Sequence, residues 1–119
     1  MRKILLINAI IELTAGIIVI LSPDLLLYNT PMDNLSFNIS KMYGIAAATI
    51  GLFSYLLYNH AQSAQLVKFS CLTIIAFHVI LAFHLYGMYT MAMITHPGPM
   101  AFHLLVFLVL GILYLRDNK

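Results

Sequence analysis

Charge is what this sequence has least of. Only 8% of its 119 residues are Asp, Glu, Lys or Arg and 62% are hydrophobic, where soluble domains carry about 25% charged and 45–50% apolar residues. Mean hydropathy is +0.96. A water-soluble domain of this length cannot hide so much apolar surface, so lipid is the solvent that the composition calls for. There is one cysteine, Cys71, which excludes an internal disulfide and sits in an apolar run as a buried, inert thiol. The formal charge is +2, and the basic residues stand mostly at the chain ends. That is not the footprint of a nucleic-acid binder, and no nucleic acid is expected as a partner. No phosphate-binding glycine loop, no CxxC and no nucleophile–base motif is present, so the common soluble enzyme classes find no support.

What the chain does have is four apolar stretches, Ile4–Leu21, Met42–Tyr58, Val67–Met93 and Pro99–Leu115. Each is near the ~20 residues that cross a bilayer, and each must be helical there, because an isolated strand cannot satisfy its backbone in lipid. The fold class expected is all-α, a single integral membrane domain of four helices over residues 1–119. The first stretch could pass for a signal peptide, but Glu12 in its middle and the lack of a small-x-small cleavage site favour a retained helix. Ser22-Pro23 ends it. Pro97-Gly98-Pro99 starts the fourth stretch and makes the third and fourth antiparallel neighbours. The link from His60 to Gln65 is short. The outer connection, residues 23–40, is long, with turn signals at Asn29-Thr30-Pro31 and Asp33-Asn34. Its apolar parts, Leu25–Tyr28 and Leu35 with Phe37, suggest a short interfacial helix or cap against the lipid.

Basic residues set the expected orientation. Arg2, Lys3, Lys68, Arg116 and Lys119 fall on the side that holds both termini and Lys41 alone on the other, which places the termini in the cytoplasm by the positive-inside rule. A multi-pass protein of the inner (cytoplasmic) membrane follows, with the lipid bilayer as its first partner.

Ionisable groups at bilayer depth cost ~2.5–3.5 kcal/mol each on insertion scales and mark functional sites. Glu12 shares a helix face with Asn8 and Gly16, one turn to either side. His78 and His84 lie in the third stretch, six residues apart, and so point in different directions. His103 lies one turn into the fourth, and His96 precedes it in the proline-rich turn. Counting residues from Thr95 at ~1.5 Å each puts His84 and His103 within about one turn of a common depth. Glu12, ten residues before Ser22, reaches a similar level. The expected site is therefore Glu12, His84 and His103 in the outer half, with Lys41 and Tyr43 at its mouth.

Such a set admits several chemistries. A carboxylate with histidines can hold a quinone or another polar-headed lipid, or relay protons. Two histidines and a carboxylate can ligate zinc or iron, so Glu12, His84 and His103 are also the candidate metal ligands. Two histidines on facing helices could ligate a haem. Each histidine could equally be no more than a hydrogen-bonded packing residue. Small residues at Gly44, Ala47, Ala48, Gly51 and Ser54 give the second helix a face that a neighbour can approach closely. That face could serve a homo-oligomer or a partner membrane subunit, with the protein then a structural subunit of a complex.

The layout also resembles a known group. Gly16 in a short first helix, Pro23 and an outward loop, the run Lys41-Met42-Tyr43-Gly44 and the Pro97-Gly98-Pro99 turn are similar to the DoxX-like group of small four-helix bacterial membrane proteins. The group often has arginine where this chain has Lys41, and not all of its members carry histidines matching His84 and His103. The resemblance implies a four-helix bundle in the cytoplasmic membrane. One named relative is a subunit of a quinone-reducing thiosulfate oxidoreductase, so the resemblance also leans towards a quinone-linked role. The leading expectation is a bundle that binds a hydrophobic or redox small molecule, quinone-like or lipid, between its helices.

Overall fold

The protein is described by a computed structural model over residues 1–25 and 33–118. Four long helices account for most of these residues: α1 (Arg2–Leu21), α2 (Asn34–His60), α3 (Ala64–Thr90) and α4 (Gly98–Asp117), with a single 3-10 turn at Pro23–Leu25 after α1. There is no strand among the described residues. All four helices are long and apolar enough to cross a membrane. Their outward faces carry exposed Ile10, Leu21, Met42, Phe53, Phe83 and Ile112, which water would not tolerate as one continuous surface.

Three helices are longer at their ends than the hydropathy suggested, and α2 most of all. It starts at Asn34 rather than Met42 because Asp33 caps it, its carboxylate accepting the Ser36 N–H at 2.7 Å. The polar run Asn34, Ser36, Asn38, Ser40 and Lys41 reads as a loop by composition but forms two helical turns. The Ser36 hydrogen bonds hold the Asp33 carboxyl below the usual carboxylate range, so this cap is at full strength above the ordinary Asp titration and weakens in acid. Of the turn expected at Asp33-Asn34, only the capping residue is non-helical. The expected turn at Asn29-Thr30-Pro31 and the apolar run Leu26–Tyr28 lie outside the described residues. α3 begins earlier than expected, at Ala64, where Ser63 accepts the Leu66 N–H at 3.3 Å. It also ends earlier, at Thr90, where the chain turns through Ala92 in a left-handed conformation (φ 55°). The Met93 N–H then bonds the Met88 carbonyl and the Ala92 N–H that of Tyr89, closing the helix in the manner that usually recruits glycine.

The helices pack as two close pairs, α1 on α2 and α3 on α4, with α1 also touching α3 and α4. The α1–α2 pair is a backbone-to-backbone contact. A Cβ added at Gly16 would stand 2.5 Å from the Ala48 nitrogen and 2.7 Å from the Gly44 oxygen, and one at Gly51 would stand 2.6 Å from the Leu13 nitrogen. The small face of α2 is thus already filled by α1. It is not free to dock a partner subunit, which corrects that part of the expectation. The reason is mutual: α1 contributes its own glycine, Gly16, at the point where Gly44 and Ala48 approach.

Both termini lie at one end. The Met1 ammonium pairs with Asp117 at the end of α4, and Arg2 donates to the Ala61 carbonyl in the α2–α3 link. At this end sits the apolar core, Ile4, Leu5, Ala61, Val67, Cys71, Ile74, Val106, Leu110 and Tyr114. One turn further along each helix the buried positions turn polar.

The glycine contact gives a direct test. Gly16→Ala should destabilise the protein by about 1–3 kcal/mol, since the clash is with backbone that cannot rotate away. Gly87→Ala and Gly111→Ala, with nothing within 4 Å of the added Cβ, should leave stability unchanged or slightly raised. Unfolding in detergent, followed by helical circular dichroism, compares the three.

Candidate functional site

Each helix brings one or two polar side chains into the middle of the molecule because its buried stripe happens to carry them there. On α1 the stripe is Leu5, Asn8, Ala9, Glu12, Gly16 and Val19. On α3 it is Val67, Cys71, Ile74, His78, Ala82 and Leu85, and on α4 it is His103, Val106, Leu110 and Tyr114. On α2, Ser54 lies at the same level, with Tyr43 nearer the far end.

These groups form one continuous chain of hydrogen bonds. Ser54 Oγ donates to the Ile50 carbonyl at 2.9 Å. Asn8 Nδ2 donates to Ser54 Oγ at 2.9 Å. Asn8 Oδ1 is 2.9 Å from His78 Nε2, His78 Nδ1 is 2.9 Å from His103 Nδ1, and His103 Nε2 is 3.0 Å from the Tyr43 hydroxyl. The direction of the chain can be read from its fixed end. The Ser54 hydrogen is committed to a backbone carbonyl, so Ser54 must accept from the Asn8 amide. That leaves the Asn8 carbonyl towards His78, whose Nε2 therefore carries a proton and donates. In neutral His78 the Nδ1 lone pair then faces His103, which donates from Nδ1 and accepts the Tyr43 O–H at Nε2. Every polar atom of the chain is satisfied in this one arrangement, as a buried network requires.

Glu12 is the exception. It is only 2% exposed, and its Oε1 has no hydrogen-bond partner among the described residues. The nearest cationic candidate is His78 Nε2 at 3.5 Å, already engaged by Asn8. A buried carboxylate oxygen left this way costs free energy unless something supplies a proton or a positive charge. Glu12, His78 and His103, all buried, each offer one ligand-type atom, and these lie within 4.8 Å of one another.

Beside the polar chain opens a cavity of about 340 Å³. Its walls are chiefly apolar, among them Ala15, Ile18, Val19, Leu25, Ala47 and Phe102, and its polar members are Glu12, Tyr43, His96 and His103. Such a volume, apolar with a few convergent polar groups, is what small-molecule sites share.

Of the expected site residues, Glu12, His103 and Tyr43 meet here. His84 does not. It is six residues beyond His78, about 240° further round the helix, and it is exposed on α3, lining a separate cleft of about 230 Å³ with Ser40, Tyr43, Met88 and Ile94. The α3–α4 turn is not symmetrical in depth. Pro99 and Ile94 sit beside Leu81 and Leu85 in that cleft, so α4 begins well below the end of α3 and His103 faces His78 instead. Lys41 also stays outside: its Nζ lies 4.8 Å above the Phe37 ring, one turn earlier on α2, and it lines neither cavity. Nor can His78 and His103 clasp a haem. Axial nitrogens across an iron stand about 4 Å apart on metal–imidazole bonds of ~2 Å, whereas these are 2.9 Å apart. The residues missed by sequence reasoning are His78, Asn8 as its partner, and Ser54. The signal that finds His78 is the apolar stripe of α3, with which His78 is in phase and His84 is not.

No family model matches this chain, and no curated protein or solved structure is significantly similar to it.

The polar chain predicts a sharp contrast between two substitutions. Asn8→Ala leaves the His78 N–H without its acceptor and should cost about 1–3 kcal/mol. His84→Ala should fall within ~0.5 kcal/mol of the parent. Thermal unfolding of the two variants in the same detergent measures the difference.

Proposed function

We propose that this chain is a multi-pass protein of the bacterial inner membrane that holds an apolar molecule with a polar head, of the quinone or lipid kind, in the cavity between its helices. The observation that carries this reading is that Glu12, whose buried Oε1 has no hydrogen-bond partner, lines a chiefly apolar cavity. A head group with a hydroxyl gives Glu12 the hydrogen bond it lacks, and His103 and Tyr43 stand beside it to orient the rest of the head. The tail lies against Ile18, Val19, Leu25 and Phe102. Apolar area removed from water or lipid headgroups supplies affinity, and the polar groups supply selection.

The DoxX-like layout favours the same membrane and the same class of ligand, by analogy of fold alone. In this reading the termini and their basic residues face the cytoplasm, and the cavity opens in the outer half. The clustering of Arg2, Lys3, Lys68 and Arg116 at the end that holds the Met1–Asp117 pair supports it. A reporter that is active only in the cytoplasm, fused after Lys119, should be active, and silence of that fusion beside activity of an exported reporter would overturn the orientation.

The ligand reading has its own experiment. Protein extracted in mild detergent should carry a small amphiphile that solvent extraction and mass spectrometry identify. Ala15→Phe, which fills the cavity, should abolish that copurification, and Glu12→Gln should reduce it severalfold. Equal recovery of the same molecule from all three proteins would sink the proposal.

A further inference from the structure

Beside the cavity, the two buried histidines carry an arrangement of which the ligand reading uses only His103. Their outer nitrogens are both held by fixed oxygen partners, His78 Nε2 by the Asn8 carbonyl and His103 Nε2 by the Tyr43 hydroxyl. Their inner nitrogens, the two Nδ1 atoms, face each other at 2.9 Å. This is how metal-binding imidazoles are held, since an oxygen partner at one ring nitrogen fixes the tautomer and turns the other lone pair inward. In a purely structural pair, a single proton shared between the Nδ1 atoms completes the network. It still leaves Glu12, 2% exposed, beside them with Oε1 unpartnered by either ring.

We infer that Glu12, His78 and His103 form a binding site for one divalent first-row metal ion of the zinc or ferrous kind, with Asn8 and Tyr43 as its positioning residues. Two imidazoles and a carboxylate are the donor set that suits those ions, and one donor-type atom from each of the three residues lies within 4.8 Å of the others. Glu12 Oε1 stands 3.5 Å from His78 Nε2 and has to turn towards the Nδ1 side to complete the set. The cation supplies the charge that the buried carboxylate lacks. Tetrahedral zinc with bonds of 2.0–2.1 Å to imidazole sets its nitrogens ~3.3 Å apart, so the two rings part by a few tenths of an ångström and turn so that both Nδ1 lone pairs converge on the ion. The imidazole protons are conserved, and a proton on the Glu12 carboxyl is released as the ion binds. His78 is already the Nε2–H tautomer. His103 passes to its Nε2–H tautomer and donates to the Tyr43 oxygen, whose own hydrogen turns away. Since Glu12 and His103 also line the cavity, the remaining coordination position opens on that side. The site shares Glu12 and His103 with the cavity and is set apart from it by His78, which does not line the cavity.

The test uses the full chain in detergent micelles or nanodiscs, stripped with a strong chelator and then loaded with Zn²⁺ or Co²⁺. Elemental analysis after desalting should find about one ion per chain, and the Co²⁺ form should show visible absorption of a low-symmetry site with nitrogen ligands. Glu12→Gln, His78→Gln and His103→Gln should each weaken Zn²⁺ affinity at least a hundredfold in competition with a chromophoric chelator. Asn8→Ala and Tyr43→Phe should weaken it 10–100-fold, as removal of outer hydrogen-bond partners does. Helical circular dichroism confirms that each variant compared is folded, and His84→Gln, outside the cavity, is the control that keeps full affinity. Ala15→Phe should lose the amphiphile and keep the ion, which separates this site from the cavity reading. A folded parent that retains no ion, or one whose binding is lost with His96→Gln and unaffected by His78→Gln, overturns the inference.

Discussion

A single chain of hydrogen bonds passes through all four helices, and the rest of the molecule is arranged around keeping it closed. It leaves α2 at Ser54, crosses α1 at Asn8, α3 at His78 and α4 at His103, and returns to α2 at Tyr43. No step is longer than 3.0 Å. In an apolar interior each broken step leaves a donor or acceptor without water to fall back on, which makes the chain all-or-none. That has a consequence for packing. Helices this apolar, if surrounded by lipid, would have no hydrophobic reason to choose one register over another, and polar contacts of this kind with the close glycine approach of α1 to α2 would then select the arrangement. The two act on different helices. The glycines fix α1 against α2, while the histidines fix α3 and α4 against that pair.

The existence and order of the helices were legible in the sequence because a membrane-spanning segment is a matter of length and apolar content, which no tertiary contact need supply. The small face of α2 was legible too, as a spacing. What it packs against was not, because only the second partner, Gly16, tells whether such a face is filled within the chain or from outside. The early start of α2 was hidden for another reason. A helix that emerges from the apolar layer loses its hydropathy signal before it loses its hydrogen bonds, and there the Asp33 cap is a better marker than composition.

The site was half legible. Glu12 and His103 stand out because ionisable groups in apolar helices are costly wherever they occur. Depth separates His84 from His78 only where the α3–α4 turn is symmetrical, and here α4 begins beside Leu81 and Leu85, well below the end of α3. Rotation was the sounder guide. Val67, Cys71, Ile74, His78, Ala82 and Leu85 repeat at three and four residues as a buried stripe, and a histidine in phase with small and apolar residues faces the interior. Asn8 illustrates the remaining gap. It was noticed as sharing a face with Glu12, but its role as the acceptor that fixes the His78 tautomer depends on Ser54, forty-six residues away, and no local pattern encodes that.

The asymmetry within the polar layer is what points beyond packing. Were the layer only a device for specifying register, its best form would leave nothing unsatisfied, and Asn8, Ser54, His78, His103 and Tyr43 reach that form among themselves. Glu12 contributes nothing to it. An alanine at position 12 would spare the desolvation of a carboxylate and leave the chain of hydrogen bonds whole. The carboxylate therefore adds cost to a network that is complete without it, and a buried cost of this kind is offset by a proton on the carboxyl or by a partner that the four helices do not themselves provide. Its position narrows what that is. Glu12 lies where the polar chain meets the cavity wall, able to answer either an ion drawn in by the two histidines or a head group entering beside Tyr43.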